Sequence, residues 1–248
     1  MFFILNTFVV NINNMSIDWN FVVPKSKPLP KAKQDNPLAT PSITMIIGGT
    51  GSGKSVCMSN ILMALQDIHE FDSGLFVTSN GRDPILDTIE MPITQKPSDL
   101  EDYISKVRNS KEGTNHILVL DDCQGSKDFN IMTNRSTFVS FVLSHRHFGE
   151  NKKKAGLNGT WLIITAQTLK NSFSTQVRNQ VKNWILYYPR TPTELRNYDE
   201  LAQDPAMMRR AMAIVKSEGR HAFLFLNKHD PERDRYYLGF NDEMRDLN

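Results

Sequence analysis

Cysteine is scarce in this chain of 248 residues: there are two, Cys57 and Cys123, far apart and without a CxxC partner. A disulfide scaffold is therefore ruled out, a zinc site is not expected, and a reducing, intracellular setting fits best. An excess of one charge is missing too. Lys and Arg total 29 against 27 Asp and Glu, a formal net charge of +2, so there is no polycationic coat. Any nucleic-acid contact must come from local patches. Long apolar runs are absent as well. The stretch Met1–Val10 is too short to span a bilayer and has neither a basic start nor a small-residue cleavage site, so no membrane span is expected. No repeat period is visible. What remains, 40% hydrophobic and 23% charged, is the profile of an ordinary globular protein able to bury a substantial core.

The chain divides by composition. Met15 opens a second, more ordinary beginning, so the first fourteen residues read either as an upstream extension or as a strand or contact arm. From Pro24 to Pro41 prolines alternate with lysines, which removes backbone donors and sets like charges against each other. This segment reads as an extended linker, or as a basic arm touching nucleic acid or a neighbouring subunit. Residues 1–40 are thus expected to form an N-terminal extension and arm, and residues 41–248 a single folded domain.

Within that domain, short apolar runs alternate with helical spacings. Ile43–Ile47 reads as a buried parallel strand, and Val56–Ile68 carries apolar residues at helical intervals. Further strands are predicted at Gly74–Thr78, His116–Leu120, Trp161–Ala166 and Trp184–Tyr188, with helical stretches at Pro97–Arg108 and Ser136–Leu143. Ala222–Leu226 and Arg235–Phe240 read as a C-terminal β-hairpin. The pattern predicts an α/β fold, a mainly parallel sheet covered by helices on both faces, with active groups at the carboxyl ends of strands.

One segment carries specific chemistry. Gly48-Gly49-Thr50-Gly51-Ser52-Gly53-Lys54-Ser55 fits G-x-x-x-x-G-K-[ST] between a strand and a helix. Glycines let successive N–H groups turn inward around a phosphate, and the following helix aims its positive end at the same point. Lys54 would reach the β- and γ-phosphates of ATP, and Ser55 would offer its hydroxyl to Mg²⁺.

Leu120-Asp121-Asp122 ends an apolar strand in two acids. Beside a phosphate loop, Asp121 is the candidate for the Mg²⁺ shell and Asp122 for the general base that polarises attacking water. Gln167, at the tip of Leu162–Ala166, could hydrogen-bond both the γ-phosphate and that water. Charge developing on the γ-phosphoryl oxygens also calls for an arginine, often from a neighbouring subunit, and Arg146 and Arg178 are the two candidates, Arg146 first. His145 and His147 do not suggest a metal, because residues two apart on a helix diverge. Lys152-Lys153-Lys154 reads either as a contact for DNA phosphates or as a solvated charge run.

The phosphate loop, the Asp121-Asp122 strand, the Arg146-His147-Phe148 step, the strand ending in Gln167 and Val177-Arg178-Asn179 occur in one order. That order, over residues 42–188, resembles the FtsK/HerA-like P-loop ATPases, and specifically the genome-packaging ATPases of large DNA viruses and virophages. The resemblance implies an ASCE-type sheet with an additional strand, carrying Gln167, between the phosphate-loop strand and the Asp121 strand. It also implies a homo-oligomeric ring on double-stranded DNA, with Arg146 near a subunit edge. The stretch Gly149–Gly159 departs from the pattern as a longer polar and basic insertion.

These readings predict an ATP hydrolase that uses Mg²⁺ to drive double-stranded DNA, without regard to sequence, into a capsid. Its partners would be a capsid or portal protein, and its place the host cytoplasm, the viral assembly site or the virion. A P-loop small-molecule or nucleoside kinase, and a nucleotide-gated assembly protein with little turnover, are the alternatives. The second acid and Gln167 favour water as the phosphoryl acceptor.

Overall fold

Ile43–Ile47 (β3) has no exposed side-chain surface at any of its apolar positions and becomes the centre of the sheet. The computed structural model describes residues 2–5, 8–11, 40–79, 91–123, 136–151, 158–170, 173–229, 234–240 and 242–244. The Pro/Lys-rich arm up to residue 39, and Lys152–Lys154, lie outside the described residues. At the amino terminus, Phe2–Leu5 (β1) and Phe8–Asn11 (β2) pair antiparallel as a separate two-stranded sheet, which matches the strand reading of this segment.

After β3 the chain runs through helix α1 (Lys54–Ile68), β4 (Ser73–Thr78), β5 (Ile93–Thr94), α2 (Pro97–Arg108) and β6 (Asn115–Asp121). There follow α3 (Thr137–Ser144), a 3₁₀ turn at His145–His147, β7 (Gly159–Ala166), α4 (Thr175–Arg178) and β8 (Asn183–Tyr187). Helices α5 (Pro192–Asp199) and α6 (Pro205–Glu218) precede β9 (Phe223–Asn227), β10 (Arg235–Leu238) and β11 (Asp242–Glu243). Among the described residues, nine strands form one sheet in the order β11-β10-β9-β8-β3-β7-β6-β4-β5. From β8 to β5 all pairings are parallel, whereas β9, β10 and β11 add antiparallel at the β8 edge. The expected hairpin is β9–β10, and β11 extends it by one short strand.

Side chains alternate across this sheet with the period of two that a pleated strand imposes. Ile46, Ile117, Val119, Ile163 and Ile185 face α1, which offers Cys57, Met58, Ile61, Leu62 and Leu65. Their neighbours Met45, Leu118, Leu120, Leu162, Ile164 and Leu186 face the opposite side, where α2, α3 and α6 supply Leu100, Ile104, Val139, Phe141, Met208 and Met212. Both faces are covered, so the parallel strands read as continuous apolar runs rather than alternating ones.

Helix ends follow local chemistry. Pro97, Pro192 and Pro205 stand at the first turns of α2, α5 and α6, where the missing N–H costs nothing. Ser136, Ser174, Thr191 and Asp204 cap α3, α4, α5 and α6 with side-chain acceptors. Helix α1 differs. Its N-cap is Gly53, with no side-chain cap and no acid in its first turn, so its leading amides are left for another acceptor. No helix among the described residues is long and apolar enough to cross a membrane.

Candidate nucleotide site

The loop between β3 and α1 is shaped by what its residues lack. A Cβ on Gly48 would lie 2.6 Å from Ser52 Oγ and 2.8 Å from the Tyr187 ring, so only glycine lets the chain turn so close to β8. Gly53 holds φ 106°, a left-handed conformation that glycine adopts without penalty, and it launches α1. Ser52 is buried, and its Oγ has no hydrogen-bond partner among the described residues. Lys54 is 8% exposed, and its ammonium donates to Gly48 O at 2.7 Å. The same nitrogen lies 4.0 Å from Asp122 Oδ2. A buried lysine thus has one carbonyl and one carboxylate within reach among the described residues.

Strand β7 lies between β3 and β6, so the tips of all three meet at one edge. Thr165 on β7 organises the two acids. Its hydroxyl donates to Asp121 Oδ1 at 2.7 Å and accepts the backbone N–H of Asp122 at 3.0 Å. Asp122 adopts φ 49°, unusual for a residue other than glycine, and Ser79 at the tip of β4 donates to its carbonyl at 2.7 Å. That turn directs the Asp122 carboxylate towards Lys54, while Gln167 Nε2 donates to Asp122 Oδ2 at 3.4 Å. The structure therefore brings together Lys54, Asp121, Asp122 and Gln167 around the loop.

The two candidate arginines lie elsewhere. Arg146 belongs to the 3₁₀ turn, and its carbonyl lies 3.1 Å from where a Cβ on Gly159 would stand, at the amino end of β7. It is exposed and at the opposite end of the sheet from the loop, so it does not reach the site of its own chain. Arg178 closes α4, where Nη2 donates to Thr175 Oγ1 at 3.1 Å and Nη1 stands 4.0 Å from Glu200 Oε2.

Other basic side chains surround the loop that sequence reasoning did not single out. Arg190 Nη2 donates to Thr50 O at 2.7 Å, and His221 Nδ1 meets Ser52 O at 3.0 Å. A Cβ on Gly51 would come 2.5 Å from Arg220 Nη2. Tyr188, Arg190, Lys216 and Arg220 line a cavity of about 330 Å³ that opens against Gly49, Thr50 and Ser52. Lys216 Nζ lies 5.2 Å from the centre of the Tyr188 ring. These residues follow β8 or precede β9, and antiparallel pairing of β9 on β8 brings both segments to the loop. Their signal in the sequence was the pair of short basic clusters Tyr188-Pro189-Arg190 and Gly219-Arg220-His221.

Neither cysteine offers a nucleophile. Burial pushes the Cys57 thiol up to about 12, and burial, reinforced by the Asp121 charge, does the same for Cys123.

No protein-family model matches the chain, and no curated protein matches it in sequence. Solved structures do match it in fold. The genome-packaging NTPase B204 of Sulfolobus turreted icosahedral virus 2, in complex with ATPγS, aligns with a TM-score of 0.58 and 16% identity over 81% of this chain and 97% of its own. B204 described as the DNA-packaging ATPase of Sulfolobus turreted icosahedral virus gives 0.54 and 17%, over 79% and 97%. The conjugation coupling protein TcpA of pCW3, with ATPγS, gives 0.55 and 14%, over 83% and 62%. With β7 inserted between the phosphate-loop strand and the acid-bearing strand, this chain has the P-loop NTPase fold that B204 and TcpA share, as the order of its motifs predicts.

Proposed function

We propose that this protein is a DNA-packaging motor ATPase, which hydrolyses ATP to drive double-stranded DNA into a capsid. The observation that carries the reading is the contact of Lys54 with Asp122 across the gap between the β3 loop and the β6 tip. It unites a phosphate-binding cation and a water-activating carboxylate in one site.

A bound triphosphate would accept from the uncapped leading amides of α1, the Ser52 hydroxyl, which has no partner among the described residues, and the Lys54 ammonium. Lys54 would then leave Asp122 for the β- and γ-phosphates, and the Asp122 carboxylate would take a proton from the attacking water. Gln167, already a donor to Asp122, would orient that water and register the γ-phosphate. Hard oxygen donors at Ser55, in the first turn of α1, and Asp121, held by Thr165, suit Mg²⁺. When bound, Mg²⁺ supplies charge neutralisation on the phosphate oxygens. The cavity bounded by Tyr188, Arg190, Lys216 and Arg220 would take the ribose and base.

Arg146 and Arg178 both lie away from their own chain's loop, so each would act on a neighbour's nucleotide in a homo-oligomeric ring, Arg146 first. Residues 41–248 are proposed as the ATPase domain and residues 1–40 as its extension, working at the viral assembly site with a capsid or portal protein. Structural likeness to B204, whose solved forms include complexes with ATPγS and AMPPCP, supports this reading.

Phosphate release from ATP tests it. Turnover is expected to rise with double-stranded DNA and to vanish in Lys54→Ala. Turnover indifferent to DNA, or a phosphate recovered on a nucleoside, would overturn the motor reading.

A further inference from the structure

At the amino ends of β8, β3 and β7, opposite the phosphate loop, lies a second cavity of about 320 Å³. The five residues of β3 separate the two, roughly 16 Å at the usual rise per residue, so no side chain serves both. His145 lines this cavity at 6% exposure. Its Nδ1–H donates to Val142 O at 2.7 Å, which leaves Nε2 buried without a hydrogen-bond partner among the described residues. His229, two residues past β9, also lines this cavity, and its Nε2 is buried without a hydrogen-bond partner among the described residues. Arg146 and Lys182 stand at its rim, and the amide of Gln180 joins them.

The charge of this cavity is one-sided. Glu150 is the single carboxylate among the described lining residues, and its Oε2 is held by His147 Nδ1 at 3.0 Å. Arg146 and Lys182 form no ion pair among the described residues. Two ring nitrogens, a guanidinium, an ammonium and an amide thus line one cavity from separate elements, with the His147-paired Glu150 as the single carboxylate beside them among the described residues. Such a set fits a tetrahedral oxyanion that accepts from several directions, and a guanidinium favours phosphate geometry.

The geometry points to a second phosphate-binding site, built from His145, Arg146, Lys182 and His229 at the amino end of the sheet and independent of the nucleotide loop. Burial, with Arg146 and His147 beside one ring and Lys182 beside the other, holds both imidazoles down to about 4. An incoming phosphate opposes those neighbouring charges, so each imidazole can take up a proton and turn its Nε2 from acceptor to donor. The phosphate could belong to a nucleic-acid backbone or be free in solution.

The full-length chain, with its loop filled by a non-hydrolysable ATP analogue, is titrated with inorganic phosphate by calorimetry. One additional binding event is expected, weakened about tenfold or more by Lys182→Glu and by His229→Leu, as loss of a charge-assisted partner implies. Melting temperature and analogue affinity of the Lys182→Glu chain should be unchanged, because Lys182 is exposed. No binding with the loop filled, or equal binding in Lys182→Glu, overturns the site. A short DNA duplex then separates the sources. If phosphate displaces the duplex and Lys182→Glu weakens it, the ligand is a backbone phosphate; if duplex affinity is untouched while phosphate binding is lost, the ligand is free phosphate. Arg146 is left intact throughout, since it carries the separate proposal of an arginine acting across subunits.

Discussion

Thr165 and Asp121 are joined at 2.7 Å by a hydroxyl that also receives the backbone N–H of Asp122. One buried threonine therefore sets the direction of both acids at the strand tip. Its place on β7, the strand paired directly with the acid-bearing β6, makes this possible.

Thr165→Val keeps the shape of the side chain and removes both bonds. Loss of a hydrogen bond to a charged group costs about 1.5–3 kcal/mol, which would lower kcat roughly 10- to 100-fold. Thr165→Ser should retain most activity. Steady-state ATP hydrolysis by the two variants checks this, and equal rates for Val and Ser would remove Thr165 from the site.

Asp122→Asn should bind nucleotide while hydrolysing it at least about a hundredfold more slowly, the scale of a missing general base. It also removes the carboxylate that faces the buried Lys54 ammonium, so the nucleotide-free protein should melt at a lower temperature. Bound nucleotide should restore part of that loss. A thermal melt with and without an ATP analogue measures both effects.

Arg220→Ala and Arg190→Ala should raise KM for ATP more than they lower kcat. Their side chains border the proposed base and ribose cavity rather than the acids. A drop in kcat at unchanged KM would instead put them at the γ-phosphate.

Mixed rings test the arginines. Arg146→Ala subunits combined with Lys54→Ala subunits should recover activity that neither variant has alone, because an intact Arg146 and an intact loop would meet at shared interfaces. Mixtures as inactive as their parents would leave Arg146 a local or structural residue of its own chain, and the same experiment with Arg178→Ala follows.

Acid should destabilise the fold through His145 and His229. Both have folded-state pKa values of about 4, below the ordinary 6.5, because burial disfavours their charged forms. The unfolded chain therefore binds more protons between those values, and stability falls as pH drops from about 6.5 towards 4, by on the order of a few kcal/mol. Denaturant melts of His145→Asn across that range should show a shallower slope than the parent. Phosphate in the amino-end cavity should also flatten it.

The local parts of this molecule were legible in residue order. A glycine-rich turn, the apolar runs of β3, β6, β7 and β8, and Pro97 at the start of α2 each depend on neighbours within a few positions, and Pro97–Arg108 was read with its observed ends. Helices α5 and α6 were not singled out. Their apolar faces are narrow stripes that gain meaning only against the sheet, and their starts are marked by Pro192 and Pro205 in polar surroundings.

Residue order by itself determined that a phosphate cradle would follow β3 and that two acids would end β6, because backbone conformation and strand pattern are short-range properties. Only the tertiary structure decided that Thr165 would bind both acids, that Arg190, Arg220 and His221 would close on the loop, and that Arg146 would face away from it. Those contacts join segments as much as 169 residues apart, and which of them meet depends on the order in which the strands pair.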